Sequence, residues 1–208
     1  MTNSKEYWNK FYSGVDAKLL IPSQFAAFVA MEYFGKLQAV IDIGCGNGRD
    51  SIFFGSLGFN VIGVDASKNA IEQIKKKRVS NTKFIIGDIS DNSLKEKLKV
   101  NISSSDTTLV YSRFFLHAIS ENQELDFWKL VNNISNKGDY MALEFRTEKD
   151  EKLTKSTPEH YRRFVSSSNV ISYALKLGYV CDYQVEGFGY AKYKNDDAYV
   201  SRLLMKKK

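Results

Sequence analysis

The sequence predicts an α/β fold, a doubly wound, Rossmann-like, mostly parallel sheet of seven strands that ends in an antiparallel hairpin. Three observations carry this. Short β-branched runs alternate with helix-like stretches from about residue 38 onward. The first run ends in a glycine-rich turn within IDIGCGNGRD (41–50). The last two runs leave no room for a helix between them, so they must pair antiparallel.

Taken in order, SKEYWNKFY (4–12) and SQFAAFVAMEYF (23–34) read as two amphipathic helices, the second opened by Ser23 after Pro22. Five strands follow: AVIDIG (39–44), NVIGVD (60–65), KFIIGD (83–88), TTLVYS (107–112) and YMALEFR (140–146). The stretches RDSIFFGSLG (49–58), SKNAIEQIKKKR (67–78, capped by Ser67), DNSLKEKLK (91–99) and ENQELDFWKLVNNI (121–134) read as the helices between them. Strand–helix alternation implies right-handed crossovers and parallel strands. Thr157 and Pro158 then open a helix over EHYRRF, and Ser168 or Asn169 caps another that reaches LKLG. YVCDYQVEGF (179–188) is the sixth strand, parallel to the others, and AYVSRLLM (198–205) the seventh.

A chain of 208 residues suits one well-buried domain, so residues 1–208 are expected to fold as a unit, with 1–36 as a helical cap and 147–167 as an insertion that is a candidate lid. Apolar content of 43% with ordinary charge excludes a disordered chain. MTNSKEYWNK has no apolar core of signal-peptide length, and no run approaches the roughly 20 residues of a bilayer span, so a cytoplasmic protein without membrane partners is expected. Cys45 and Cys181 stand too far apart for metal spacing and read as packing residues; no metal is expected. Much of the net charge of +6 lies in KKKR (75–78) and the terminal KKK, which read as a solvated helix face and a tail, and this makes nucleic acid an unexpected partner. The oligomeric state is left open.

A glycine-rich turn between a first strand and its helix lets a ligand approach the backbone, at the carboxyl edge where open α/β sheets bind ligands. The dinucleotide fingerprint is G-x-G-x-x-G; here the run is D-x-G-x-G-x-G, with Asp42 inside the strand end and Gly44, Gly46 and Gly48 in the turn. On these residues the sequence resembles the class I S-adenosylmethionine-dependent methyltransferases, and GCGNGRDS is similar to their tellurite-resistance and thiopurine-type branch. The resemblance implies the class I methyltransferase fold, S-adenosylmethionine as cofactor and S-adenosylhomocysteine as product. It assigns Asp65 to the ribose hydroxyls with Ala66 beside it, Asp88 to the adenine amine with Ile89 flanking the base, and Tyr111 to the same pocket. In related enzymes an N-terminal helix lies across the cofactor, which would make Trp8 and Tyr12 a closure; the aromatic stripe Tyr7, Trp8, Phe11 and Tyr12 could equally pack on the sheet.

On the acceptor side, the Asn/Asp-Pro-Pro-aromatic motif of many nucleic-acid amino methyltransferases is replaced by YSRFFLHAI, and the chain's two prolines, Pro22 and Pro158, lie elsewhere. If the chain turns helical from Phe114, Arg113 and His117 share a face and can grip one anion. Arg146 ends the fifth strand with Glu144 two positions earlier on the same side. His160, Tyr161, Arg162 and Arg163 from the insertion, and Tyr190, Lys192 and Tyr193 from the hairpin loop, are expected at the same rim. The alternative is that Arg146 pairs with Glu144 or Glu148 while Arg162 and Arg163 face solvent. The set predicts methyl transfer to an oxygen of a small anionic acceptor, with His117, Arg113, Glu144 and Arg146 as the catalytic group. A phosphate or phosphoramidate oxygen needs no base; a sugar hydroxyl would need His117 or Glu144. PEHYRRFV and GFGYAKYKNDDAYV resemble small bacterial methyltransferases associated with surface-polysaccharide decoration, which favours a phosphate-bearing sugar or its precursor. The rivals are methylation of a small thiol, methylation of RNA, and cofactor binding without catalysis.

Overall fold

The computed structural model describes residues 4–13, 21–75, 79–103, 106–153, 155, 161–193 and 196–208. Two helices, α1 (Ser4–Ser13) and α2 (Gln24–Tyr33), precede the sheet. β1 (Ala39–Ile43), α3 (Arg49–Ser56), β2 (Asn60–Asp65), α4 (Lys68–Lys75), β3 (Thr82–Ile86), α5 (Leu94–Lys99), β4 (Thr108–Arg113), α6 (Glu121–Ile134) and β5 (Tyr140–Arg146) then alternate as expected. The chain ends with α7 (Ser167–Lys176), β6 (Tyr179–Gly187), β7 (Lys192–Tyr193), β8 (Asp196–Asp197) and β9 (Val200–Lys207).

The seven-stranded sheet has the order β3-β2-β1-β4-β5-β9-β6. The first five strands pair in parallel, and β9 runs antiparallel to both neighbours. The expected hairpin of the last two long strands is present, with β9 inserted between β5 and β6 so that it is hydrogen-bonded on both edges. Its connection carries an additional small hairpin, β7 with β8, which the sequence reading did not anticipate.

Helices cover both faces, which is why the parallel strands are apolar runs rather than alternating ones; every residue of β1 is buried. On one face α2 and α3 pack Phe25, Val29 and Phe54 against Val40, Leu109, Tyr111, Ala142 and Leu204. On the other, α5, α6 and α7 pack Leu94, Leu98, Phe127, Val131 and Val170 against Ile41, Val110, Leu143 and Leu203. Ser23 caps α2, its side chain accepting from the Ala26 amide at 3.0 Å, and Ser120 with Gln123 forms a capping box on α6. α7 starts two residues before the position expected from Ser168 or Asn169, with Ser166 at its cap. Of the helix expected over 158–164, residues 158–160 lie outside the described residues and 161–164 are not helical.

Candidate active site

The strand order reverses between β1 and β4, and the crevice at their carboxyl ends is where such sheets bind ligands. The glycine turn sits on that edge. Gly44, Gly46 and Gly48 have φ of 77°, 54° and 70°, a region that costs a residue with a Cβ. The Gly44 and Cys45 amides donate to the Val64 carbonyl at 2.8 and 3.0 Å, and the Gly46 amide donates to Asp65 Oδ2 at 2.8 Å, so the turn is pinned to the end of β2. The three glycines are not equivalent. A Cβ at Gly44 would run into the ring of Phe115, and one at Gly48 would meet Ile74 and Phe84 at 2.9 Å. The sequence reading assigned all three to ligand approach; at two of them protein side chains fill the space beside the missing Cβ.

Three carboxylates stand near this edge. Asp42 is buried, accepts from Ser51 Oγ at 2.6 Å, and is pushed up to about 8 chiefly by burial, with Asp50 and Asp65 adding to the shift. Asp65 accepts from the Gly46 and Ser67 amides through its two oxygens, and burial holds its carboxyl above the usual range against those bonds. Asp88, half-buried at the end of the third strand, accepts from the Ser90 amide at 3.0 Å. Ala66 is half-buried beside Asp65, and Ile89 is buried in the α5–α6 core. α1 docks at this corner: Ser67 Oγ donates to Asn9 Oδ1 at 2.8 Å and Asn69 Nδ2 to the Asn9 carbonyl at 3.1 Å. Trp8 is half-buried, edge-on to Tyr7 at 5.1 Å, and the side chain of Tyr12 lies outside the described residues.

Tyr111 requires a correction. Alternation along β4 turns it into the α2–α3 core, where it is 1% exposed, stacks on Phe25, and donates to Asp50 Oδ2 at 2.8 Å. Ser23 donates to both oxygens of the same carboxylate, so Tyr111 belongs to a buried brace that holds the start of α3.

The acceptor side differs more from expectation. Phe114 has φ of 55° while its amide continues the ladder to the Glu144 carbonyl at 2.8 Å. No helix begins there, only a 3-10 turn over Leu116–Ala118, and Arg113 and His117 therefore do not share a helical face. Arg113 Nε donates to Glu144 Oε1 at 2.6 Å, and Arg202 Nε to the other oxygen at 2.7 Å. Glu144 is thus held between two guanidiniums. Arg146 is paired with neither Glu144 nor Glu148; its Nη1 and Nη2 donate to Asp150 and Asp196, each at 2.6 Å. His117 is buried, and its Nδ1 accepts from the Arg146 amide at 3.1 Å, which places the proton of the neutral ring on Nε2. The ring of Phe114 sits among these groups, 4.2 Å from the Arg113 guanidinium, 5.5 Å from that of Arg146 and 5.1 Å from the His117 ring.

The returning segment splits in two. Arg162 is half-buried; burial lowers its pKa, and the Arg146 charge lowers it further, with Tyr7, Asp196 and Asp150 opposing. Arg163 turns the other way, toward α6. Its guanidinium bonds to the Glu124 carboxylate and to the Leu116 carbonyl, and its amide to the His117 carbonyl at 2.8 Å, so it is neither at the mouth nor in solvent. Tyr161 is exposed and His160 lies outside the described residues. Tyr190 packs with Phe114 against the base of the small hairpin, whereas Lys192 and Tyr193 are exposed on it. Sequence reasoning missed Arg202, Asp150, Asp196 and Phe114. For Arg202 a signal existed: it is a lone charge in the apolar run VSRLLM, and the register sets it directly opposite Glu144.

Carboxylates and main-chain groups thus gather at the carboxyl edge of a doubly wound sheet, at the switch point where such sheets bind ligands. The chain matches the family model described as "Methyltransferase domain" over residues 35–190 and belongs to that family. Its fold is that of the class I methyltransferases. No curated protein matches the sequence significantly. Among solved structures it is similar to a SAM-dependent methyltransferase from Anabaena variabilis ATCC 29413, with TM-score 0.74, 20% identity, and coverage of 98% of this chain and 93% of that one. The PH0226 protein from Pyrococcus horikoshii OT3 gives TM-score 0.70 at 19% identity, covering 98% and 99%. Magnesium protoporphyrin IX methyltransferase (ChlM) from Synechocystis PCC 6803, with bound SAH, gives 0.63 at 12%, covering 99% and 85%. Among the described residues no helix is long and apolar enough to cross a membrane, and no group of acidic, Cys or His side chains could hold a metal ion.

Proposed function

We propose that the enzyme methylates a small acceptor that arrives as an anion, without a protein base. The observation that carries this reading is the state of Glu144 and His117. Each oxygen of the Glu144 carboxylate is already engaged by a guanidinium N–H, Oε1 by Arg113 and Oε2 by Arg202. An imidazole whose Nδ1 lone pair is engaged presents Nε2–H, a donor. S-adenosylmethionine supplies, when bound, a methyl group on a sulfonium that a nucleophile attacks in line. The chain contributes alignment and exclusion of water, which can account for much of the rate. Asp65 and Asp88 are assigned to the nucleoside, and the turn at Gly46 to the methionine end.

Arg162, half-buried and within the electrostatic reach of Arg146, Asp196 and Asp150, is the cation assigned to the anionic acceptor. Phe114 and Tyr190 supply an apolar flank for the rest of the acceptor. A phosphate-bearing sugar or its precursor fits this description, since its oxygens are ionised at neutral pH. The test is S-adenosylhomocysteine production across a panel of sugar phosphates, their parent sugars, carboxylates and small thiols, followed by a pH–rate profile on the best acceptor. The profile should follow the acceptor's own ionisation and keep its shape in His117→Gln. Preference for an uncharged hydroxyl, with an acidic limb lost in that variant, would replace this reading with general-base catalysis; preference for a thiol would move the acceptor atom to sulfur.

A further inference from the structure

We propose that Arg113 binds the carboxylate of the donor's methionine end, as the cationic arm of a zwitterion receptor whose acidic arm is Asp42. The inference rests on the chain being a SAM-dependent methyltransferase, and it moves Arg113 from the acceptor to the donor.

The register places it there. β1 and β4 pair in parallel with Asp42 opposite Tyr111, and Arg113 lies two residues beyond Tyr111 at the carboxyl end of β4, the edge on which the glycine turn also leaves β1. Alternation puts Asp42, Tyr111 and Arg113 on one face. That face is the one covered by α2 and α3, since Asp42 bonds Ser51 and Tyr111 bonds Asp50. Arg113 lies one step nearer the carboxyl edge than Asp42, at the level where the glycine turn opens.

The guanidinium is also prepared for a ligand. Glu144 fixes its Nε, the Phe114 ring supports its face at 4.2 Å, and its side chain keeps 16% exposure. Among the described residues Glu144 is the one carboxylate paired with it, and Arg202 shares that carboxylate, leaving the trio with a positive surplus. The other buried arginines are committed. Arg202 also donates to the Tyr190 carbonyl at 2.5 Å and is enclosed by the rings of Phe25, Phe28 and Tyr190. Arg146 is doubly paired. An amino-acid end carries an ammonium and a carboxylate on one carbon, so it asks for an acid and a guanidinium on one face a few ångströms apart, and the fork of an arginine matches a carboxylate. Asp42 and Arg113 are the acid and the guanidinium on that face, with Asp42 the deeper of the two, and the Arg113 charge is felt at Asp42. The competing cation is Arg49, 3.7 Å from Asp50 and 30% exposed.

The test is calorimetric and needs no acceptor. Wild type, Arg113→Gln, Arg113→Lys and Arg49→Gln are titrated with S-adenosylhomocysteine and with its decarboxylated analogue, which keeps the nucleoside, sulfur and amine; circular dichroism and melting confirm folding. Wild type should prefer S-adenosylhomocysteine over the analogue by about 10- to 100-fold, as expected for a charge-assisted pair. Arg113→Gln should lose that preference while binding the analogue within about threefold of wild type, and Arg113→Lys, which keeps the charge without the fork, should fall between. Equal weakening of both ligands, no weakening of either, or loss of the preference in Arg49→Gln instead would overturn the assignment. A wild type that binds neither ligand would overturn the donor reading itself, a result distinguishable from all of these.

Discussion

The ring of Phe115 occupies the space that a Cβ on Gly44 would need. Phe114, at φ of 55°, sets consecutive rings on different partners: Phe114 faces the guanidiniums of Arg113 and Arg146, and Phe115 packs against the glycine turn. Gly44→Ala therefore meets two costs, about 1–2 kcal/mol for a Cβ at positive φ and about 1–3 kcal/mol for the overlap. Phe115→Ala in the same chain should recover the second and not the first. Urea unfolding of the two single variants and the double measures this; strictly additive losses would show that the ring and the turn are not in contact.

Asp42 makes a pH prediction. Burial raises its folded-state pKa to about 8, so the folded protein keeps a proton that the unfolded chain releases near pH 4. Stability of the donor-free protein should then fall as pH rises from about 4 to about 8, by at most about 1.4 kcal/mol per pH unit, with no contribution below that window. Asp65 is shifted in the same direction and adds slope of the same sign. Asp42→Asn, whose amide oxygen can still accept from Ser51, should flatten the curve and be more stable than wild type at pH 8 without ligand. Parallel curves for the two proteins across pH 4–9 would refute the shift.

Much of this fold could be read from the sequence because its strands announce themselves: parallel strands buried on both faces must be apolar throughout, and each ends in a residue that marks the carboxyl edge. The placing of Asp42, Asp65 and Asp88 at the carboxyl edge was legible for the same reason, since they fall at or just past successive strand ends and a strand end has a known place in the sheet. The placing of Arg113, His117 and Arg146 was not, because it depends on Phe114. A helix starting there would have aligned Arg113 with His117, and nothing in YSRFFLHAI signals that a phenylalanine adopts a left-handed conformation. The partners of Arg146 were hidden in a similar way. Asp150 is four residues away in a 3-10 turn, but Asp196 is 50 residues away in a two-residue strand, too short for any periodicity to reveal.

Asp150 is the residue on which the mouth depends most. It is fully buried; Oδ2 accepts from Arg146 at 2.6 Å and lies 3.1 Å from Lys155 Nζ, while Oδ1 accepts from the Tyr199 amide at 2.8 Å. One carboxylate thereby joins the end of β5, residue 155 and the start of the last strand. Asp150→Ala leaves the Arg146 charge buried with half its partners, a change that typically costs about 3–5 kcal/mol. Asp150→Asn keeps the shape and should cost less, and Arg146→Met combined with Asp150→Ala should recover part of the loss because no charge is then stranded. Denaturant midpoints decide this; a double variant as unstable as the sum of the singles would mean that the pair is not coupled.

Arg163 should act on the loop rather than on the donor. Its guanidinium reaches the Glu124 carboxylate, which Trp128 Nε1 also holds at 3.1 Å, so the segment returning to α7 is fastened to the first turn of α6. Removing a charge-assisted bond of this kind raises local opening by about 10- to 100-fold, and when opening is fast relative to cleavage, proteolysis follows the open population. Arg163→Ala should accordingly speed tryptic and chymotryptic cutting within 161–166, while S-adenosylhomocysteine affinity stays within about twofold, because Asp42, Asp65 and Asp88 stand on the opposite half of the sheet from α7. Glu124→Gln retains a hydrogen-bond acceptor for the guanidinium and should produce the same change at smaller size. Cleavage at the wild-type rate would show that the latch does not restrain the segment, and a fall in donor affinity equal to the gain in cleavage would show that the two halves of the cleft open together.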